Sequence, residues 1–314
     1  MIAAIGSGSL AAGALLDLLA ALKAARYAFV TPTPATHALV RQRSAATDAD
    51  VLRDVFGWSR PFRLDQLPPR FAPLMRTAGV LVEDGDGFRS TVRVSTLEDR
   101  LFLHSAPTRE NDAVFLGPDS YRFARFLKSA LHSDRGVGRV LDLGTGAGVG
   151  ALTLKALLPD SEVHASDINP TALRFAALNA AADGLDIRFQ QASGLPAAPA
   201  TFDLIVSNPP YIAGDVGKTY RDGGEDYGTA LALNWVRSSV GRLASGGRFV
   251  LYTGAPVVAG RDVVRDALTV LSAEQNLRLR YEELDPDVFG SSLRQDAYRS
   301  VERIAAVGAV LTEP

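Results

Sequence analysis

The chain contains no cysteine. That excludes disulfides, thiolate nucleophiles and cysteine-ligated zinc or iron. Histidine is scarce as well: His37, His104, His132 and His164 are scattered without metal-ligand spacing, so no metal is implied. Lysine is limited to Lys23, Lys128, Lys155 and Lys218. Arginine is in excess, which suits anion recognition but is explained more cheaply by a genomic composition bias. Neither sign of charge dominates: 33 basic and 35 acidic side chains leave a formal charge of −2. No global field therefore draws the protein toward nucleic acid, although a local patch would suffice. No apolar run approaches the ~18 residues needed to span a bilayer. The Ala- and Leu-rich start, Met1 to Leu22, has no positive leading segment and is interrupted by Asp17. A first helix of the fold is expected there rather than a secretory signal, and with it a cytoplasmic protein.

What remains is the composition of a globular protein, 47% hydrophobic and 22% charged over 314 residues. That length allows two ordinary domains and a sizeable core. The first third reads as helices followed by a hairpin. Leu10 to Tyr27 has helical periodicity, and Thr31-Pro32-Thr33-Pro34 breaks it. Thr47 to Asp50 starts a helix, Leu67-Pro68-Pro69 introduces another over 70–77, and Asp84-Gly85-Asp86-Gly87 turns a hairpin between Val80-Leu81-Val82 and Phe88 to Val94. This pattern predicts a small N-terminal helical, winged-helix-like domain over residues 1–105. After a polar linker, Asp119 or Ser120 is expected to cap a helix from Tyr121 to Leu131. From Arg139 onward strands and helices alternate, with the fourth strand at Phe202 to Ser207 and a helix from Tyr227 to Leu243. Residues 106–314 should thus form an α/β domain with a doubly wound, mainly parallel sheet.

Val140-Leu141-Asp142-Leu143 runs into the turn Gly144-Thr145-Gly146-Ala147-Gly148 and then a helix. Glycines let a backbone turn tightly and approach a ligand, and the carboxyl end of a parallel strand is where open α/β sheets bind one. About twenty residues on, a second strand ends at Asp167, whose carboxylate can accept both hydroxyls of a ribose. Ile168 beside it could cover an adenine face. A plain strand-turn-helix would explain the glycines alone; the pairing with Asp167 favours a nucleoside cofactor. Val149 stands where a dinucleotide fingerprint wants its third glycine, which counts against a nicotinamide enzyme. These residues resemble the first motif of class I S-adenosylmethionine-dependent methyltransferases, a Rossmann-like family, from about Gly117 to the end of the chain. The resemblance implies S-adenosylmethionine as cofactor. It implies Asp167 as the ribose acid and Asp142 near the methionine end. Many relatives carry an acid after the third strand to hold the adenine amino group. Here Gln191-Ala192-Ser193 stands instead, leaving Ser193 or the backbone for that contact.

The fourth strand runs into Asn208-Pro209-Pro210-Tyr211. Two prolines stop the ladder and fix the backbone. An amide or aromatic amine nitrogen is a poor nucleophile because its lone pair is delocalised. Its N–H donors need acceptors that stay in place as positive charge builds on nitrogen. The Asn208 side-chain oxygen and the Pro209 carbonyl could be those acceptors, with Tyr211 stacking on the planar group. An ordinary loop closure would be the better reading in isolation, but the position after a glycine turn and Asp167 favours chemistry. The tetrapeptide resembles the signature of methyltransferases acting on planar nitrogens: glutamine N5 of release factors, adenine N6, or guanine N2 of RNA. By that resemblance Asn208, Pro209, Pro210 and Tyr211 form the acceptor site. Asp222-Gly223-Gly224-Glu225-Asp226-Tyr227-Gly228 is similar to an element of the release-factor enzymes. Two departures stand against it: a shorter segment between Tyr211 and Asp222, and a β-wing where those enzymes have a helical bundle.

The resemblance therefore implies an N-methyltransferase acting on a protein amide. The alternatives are an RNA or DNA base enzyme and, more distantly, a non-catalytic cofactor-binding scaffold. Neither metal nor membrane is implied as a partner. Weaker candidates are Tyr121, which could touch the cofactor, and Asp285 to Gly290 as a substrate rim. Arg60, Arg63, Arg70 and Arg76 could meet phosphates but have acids close by in sequence. His164 reads as structural.

Overall fold

A computed structural model describes residues 8–43, 50–108, 110–132, 136–212 and 223–314. Its first helix, α1 (Gly8–Ala24), buries Leu15, Leu18, Leu19 and Leu22 on one face. The Thr-Pro-Thr-Pro stretch ends one segment and also starts the next. Thr33 accepts the Thr36 N–H at 3.2 Å and Pro34 opens α2 (Pro34–Gln42), an N-cap followed by proline at the first helical position. Asp50 caps α3 (Val51–Phe56) through the Leu52 N–H at 2.9 Å; Thr47 to Ala49 lie outside the described residues. The helix α4 (Phe71–Thr77) follows, with Phe71 and Met75 fully buried.

β1 (Leu81–Asp84) and β2 (Gly87–Ser90) form the expected hairpin, Gly85 taking a φ of 59° in the turn. The expected strand from Phe88 to Val94 is in fact two. The ladder stops at Ser90, the Thr91 N–H turns back to the Val80 carbonyl, and β3 (Val92–Leu97) pairs with β4 (Arg100–Ser105) as a separate hairpin.

The next helix, α5 (Pro118–Ala130), differs from expectation at its start. Its cap position is Gly117, and Asp119 points inward as a buried side chain. Then come β5 (Arg139–Leu143), α6 (Val149–Leu157), β6 (Glu162–Asp167), α7 (Pro170–Ala182), β7 (Arg188–Gln191) and β8 (Phe202–Ser207). The helix expected from Tyr227 to Leu243 is broken. A single turn, α8 (Glu225–Gly228), has Asp226 and Tyr227 in left-handed conformations, and α9 (Ala230–Ser239) follows it. The chain closes with β9 (Leu243–Val258), β10 (Arg261–Asp262), α10 (Val263–Glu274), β11 (Arg278–Asp285) and β12 (Arg303–Thr312).

The sheet runs β11-β12-β9-β8-β5-β6-β7, with β10 on β9. β7, β6, β5, β8 and β9 are parallel; β12 runs against both its neighbours, β9 and β11, and the short β10 runs against β9. This is a doubly wound, mainly parallel α/β sheet with a helical N-terminal region. Alternation along the strands feeds two cores. Leu141, Ile205, Phe249 and Leu251 face one side with α10; Val140, Leu204, Val206 and Val250 face the other. The second core also holds Leu15, Leu18, Phe56 and Phe71, so the N-terminal helices bury their apolar faces in a cluster that reaches the parallel sheet.

Asn179, fully buried in α7, makes the polar join between these parts. Its Oδ1 accepts the Leu103 N–H at 2.8 Å, and its Nδ2 donates to the Leu103 carbonyl at 3.0 Å and the Ala147 carbonyl at 2.9 Å. One side chain thus fastens β4 to the glycine turn. Asn179→Leu would leave an N–H and two carbonyls buried without partners, and a loss of roughly 2–4 kcal/mol in unfolding free energy is expected from urea titration.

Candidate active site

The sheet reverses its winding between β5 and β8, the position at which open α/β sheets take ligands. There the loops after β5, β6, β7 and β8 enclose a cavity of about 700 Å³. Asp142, Gly144, Thr145, Gly146, Asp167, Ile168, Ser193, Asn208, Pro209, Pro210 and Tyr211 all line it. Gly148, the last glycine of the turn, does not line it. With a φ of 88° it starts α6, and a β-carbon there would stand 3.1 Å from that of Ala176. It lets α6 approach α7 and does not reach the cavity.

The glycine turn is laced to β6. The N–H groups of Gly144 and Thr145 both donate to the Ser166 carbonyl at 2.9 Å, and Gly146 donates to Asp167 Oδ2 at 2.9 Å. Asp167 Oδ1 accepts the Asn169 N–H at 2.9 Å, and both oxygens keep acceptor capacity beyond these bonds. Burial raises its pKa, against the lowering effect of the backbone donors. Ile168 beside it is 49% exposed. Ser193 is exposed at the cavity, while the preceding Ala192 N–H donates to the Asp167 carbonyl at 3.1 Å.

Asp142 supports the turn. Its Oδ2 accepts the Thr145 hydroxyl at 2.5 Å and the Ala151 N–H at 2.8 Å. A β-carbon on Gly150 would lie 2.5 Å from Oδ1, so that glycine is required by the carboxylate's position. Burial pushes the Asp142 carboxyl up to about 6, partly offset by those two bonds. A folded-state value above the unfolded one favours folding while the group is protonated. The resulting stability is fully present below about pH 4 and is lost as pH rises through about 6. The urea midpoint of the wild type relative to Asp142→Asn should fall across that window and then level off. A flat difference would contradict the assignment.

At the tip of β8 the Ser207 hydroxyl donates to the Leu143 carbonyl at 2.8 Å, fixing the approach to Asn208. Asn208 Oδ1 is buried and finds no donor among the described residues. A buried acceptor left without a partner costs free energy, and this one belongs to a cavity-lining side chain. Tyr211 is buried, edge-on to Phe289 with ring centres 5.5 Å apart. A β-carbon on Gly254 would collide with the Tyr211 ring, and one on Gly223 would lie 2.7 Å from the Tyr211 Cα. The two glycines therefore allow neighbouring backbone to close on this residue. Asp222, of the same Asp-Gly-Gly element, lies outside the described residues.

Other candidates fall elsewhere. Tyr121 is off the cavity, its hydroxyl accepting the Thr31 N–H at 3.0 Å. Phe289 of the expected rim segment is on it. His164 is buried, bonded to Glu162 Oε1 at 3.0 Å and edge-on to Phe202. Arg60 caps α2 through the Val40 and Arg43 carbonyls and pairs with Asp54, and Arg63 pairs with Asp65. Trp235 was not anticipated. It reaches from α9 over Gly144, where a β-carbon would stand 2.7 Å from its ring, and it walls the cavity. Among the described residues no cluster of His, Asp or Glu could hold a metal, and no helix is long and apolar enough to cross a membrane.

The sheet, the glycine turn closed by an acid on the next strand, and Asn-Pro-Pro-Tyr on the fourth strand define a domain of the S-adenosylmethionine-dependent methyltransferase class. In comparison with known proteins, residues 112–257 match the model of the methyltransferase small domain. A stretch of 74 residues, 24% of the chain, is 54% identical to the release factor glutamine methyltransferase of Deinococcus radiodurans, over 27% of that protein. A second, of 134 residues and 41% of the chain, is 38% identical to the release factor glutamine methyltransferase of Agrobacterium fabrum, over 46% of it. A third, of 139 residues and 44% of the chain, is 34% identical to the ribosomal RNA small subunit methyltransferase C of Shewanella loihica, over 38% of it. The chain thus spans less than half the length of each of these relatives.

Proposed function

We propose that the protein transfers a methyl group from S-adenosylmethionine to a planar nitrogen, and that the acceptor is a glutamine side-chain amide in a protein such as a release factor. The observation that carries this reading is the buried Asn208 Oδ1, without a donor among the described residues, on the wall of the cavity that also holds the glycine turn and Asp167. An NH2 group of the acceptor would supply that partner.

The residues present fit the cofactor. Asp167 offers carboxylate oxygens for ribose hydroxyls, Ile168 an apolar wall for the base, and the Gly144–Gly146 backbone a surface with no side chain to obstruct approach. When bound, S-adenosylmethionine supplies an electrophilic methyl group. The protein's part is to hold the acceptor. Asn208 Oδ1 and the Pro209 carbonyl take its two N–H groups, keeping the lone pair directed across the cavity. Both oxygens are oriented before the reaction, so positive charge developing on nitrogen meets dipoles that need not reorganise. Tyr211 bounds the acceptor's flat face. Residues 1–105 are assigned to acceptor selection, and residues 106–314 to the cofactor and transfer.

A second reading, methylation of an RNA base, is supported by the stretch shared with the ribosomal RNA enzyme, which is similar in length to that shared with the Agrobacterium fabrum enzyme. Against it, Arg60 and Arg63 are already engaged by acids. The test is incubation of cell extract with enzyme and labelled methyl donor, followed by protease or ribonuclease treatment. Label released by protease is expected. Label released by ribonuclease would establish the second reading, and no label would overturn both.

A further inference from the structure

Asp119 has no part in the proposal above, yet its carboxylate lies on the cavity wall and is nine-tenths buried. A carboxylate in the first turn of a helix ordinarily stays in water, and burying one is costly unless it is well partnered. Its partners here are two phenols and a guanidinium. The Tyr252 hydroxyl donates to Oδ1 at 2.9 Å, the Tyr211 phenol lies near enough to lower the carboxyl's pKa, and Arg122 Nη1 stands 3.6 Å from Oδ1. Burial keeps both phenols protonated, so both remain donors.

The contacts close into a circuit. Arg122 also grips Asp285 through Nη2 at 2.8 Å and Nε at 3.1 Å. Asp285 ends β11, and four residues later Phe289 returns to meet the Tyr211 ring edge-on. The ring thus has Asp119 beside its hydroxyl and Phe289 at its edge, with Arg122 tying those two neighbours together. Gly254 closes on it from the sheet.

We propose that Asp119 is a positioning residue for the acceptor site: its bond to the Tyr211 hydroxyl fixes the ring against which the acceptor's planar group lies. The inference rests on the methyl-transfer reading. Its physical basis is that a wall already fixed in orientation spends no free energy on ordering when the acceptor arrives. If Asp119 acts through Tyr211, removing either partner should have one and the same consequence.

The test is a double-mutant cycle of Asp119→Asn, Tyr211→Phe and the pair. The readout is the initial rate of labelled methyl incorporation into cell extract at saturating S-adenosylmethionine. Each single substitution should slow incorporation about tenfold, and the pair also about tenfold, because the two share one interaction. Calorimetric affinity for S-adenosylmethionine should stay within about twofold throughout. A pair slowed about a hundredfold, the additive result, overturns the proposal. So does a tenfold loss of cofactor affinity in Asp119→Asn alone, which would mean that the carboxylate contacts the cofactor. If the wild type labels nothing, the methyl-transfer reading fails, and a urea cycle on the same variants decides the clamp separately. Non-additive shifts in midpoint sustain it and additive ones overturn it. Should Asp119→Asn fail to fold, Tyr252→Phe, which frees the same carboxylate from its other side, replaces it in both cycles.

Discussion

Asn208→Ala is expected to lower methyl transfer about 10²- to 10³-fold, the cost of removing one preorganised acceptor from a reaction centre. Cofactor affinity should be nearly unchanged. The reason lies in how this side chain differs from its neighbours. Ser207 already anchors the strand tip to Leu143, and the prolines fix the backbone, so truncation at Asn208 should leave the turn in place. What is lost is a buried oxygen that has no donor of its own among the described residues. Single-turnover rates and calorimetry on the same protein separate the two effects. An active Asn208→Ala enzyme would remove the acceptor role.

Asp167→Ala should produce the opposite split. Affinity for S-adenosylmethionine is expected to fall about 10- to 100-fold, the range for hydrogen bonds to a charged group. The rate at saturating cofactor should change much less. Asp167 also receives the Gly146 and Asn169 N–H groups, so part of the loss comes through a loosened glycine turn. The unaltered second anchor, the Ser166 carbonyl receiving Gly144 and Thr145, keeps the turn from collapsing. Calorimetric titration checks this, and unchanged affinity would contradict the assignment of the ribose acid. The two variants together discriminate between the functions of the two halves of one cavity.

The candidate site was largely legible in the sequence because its signals are local. A glycine turn at a strand end, an acid one strand later and a double proline each restrict the backbone within a few residues. What escaped depends on distant contacts. Asp119 read as a helix cap because nothing nearby reveals Tyr252, more than a hundred residues away. Asn179 sits within a run of alanines and leucines; a polar residue at a buried periodic position was the available sign, but its partners at Leu103 and Ala147 are tertiary. Gly254 inside an apolar strand signalled a close approach without saying of what. Gly148 belonged to the motif by spacing and to helix packing by position. In the fold, the Thr-Pro-Thr-Pro stretch was read as a break when the same residues also specify a cap and a helix start. The split between β2 and β3 was hidden because Phe88 to Val94 has strand composition throughout, and only pairing divides it.

The central claim is that one cavity presents a methyl donor to a flat NH2 group. The most direct measurement is mass-spectrometric mapping of the methyl group on whatever product the enzyme forms in extract with labelled donor. The account predicts the methyl on nitrogen, and specifically on the amide nitrogen of a glutamine residue. A methyl found on oxygen, carbon or sulfur would contradict it.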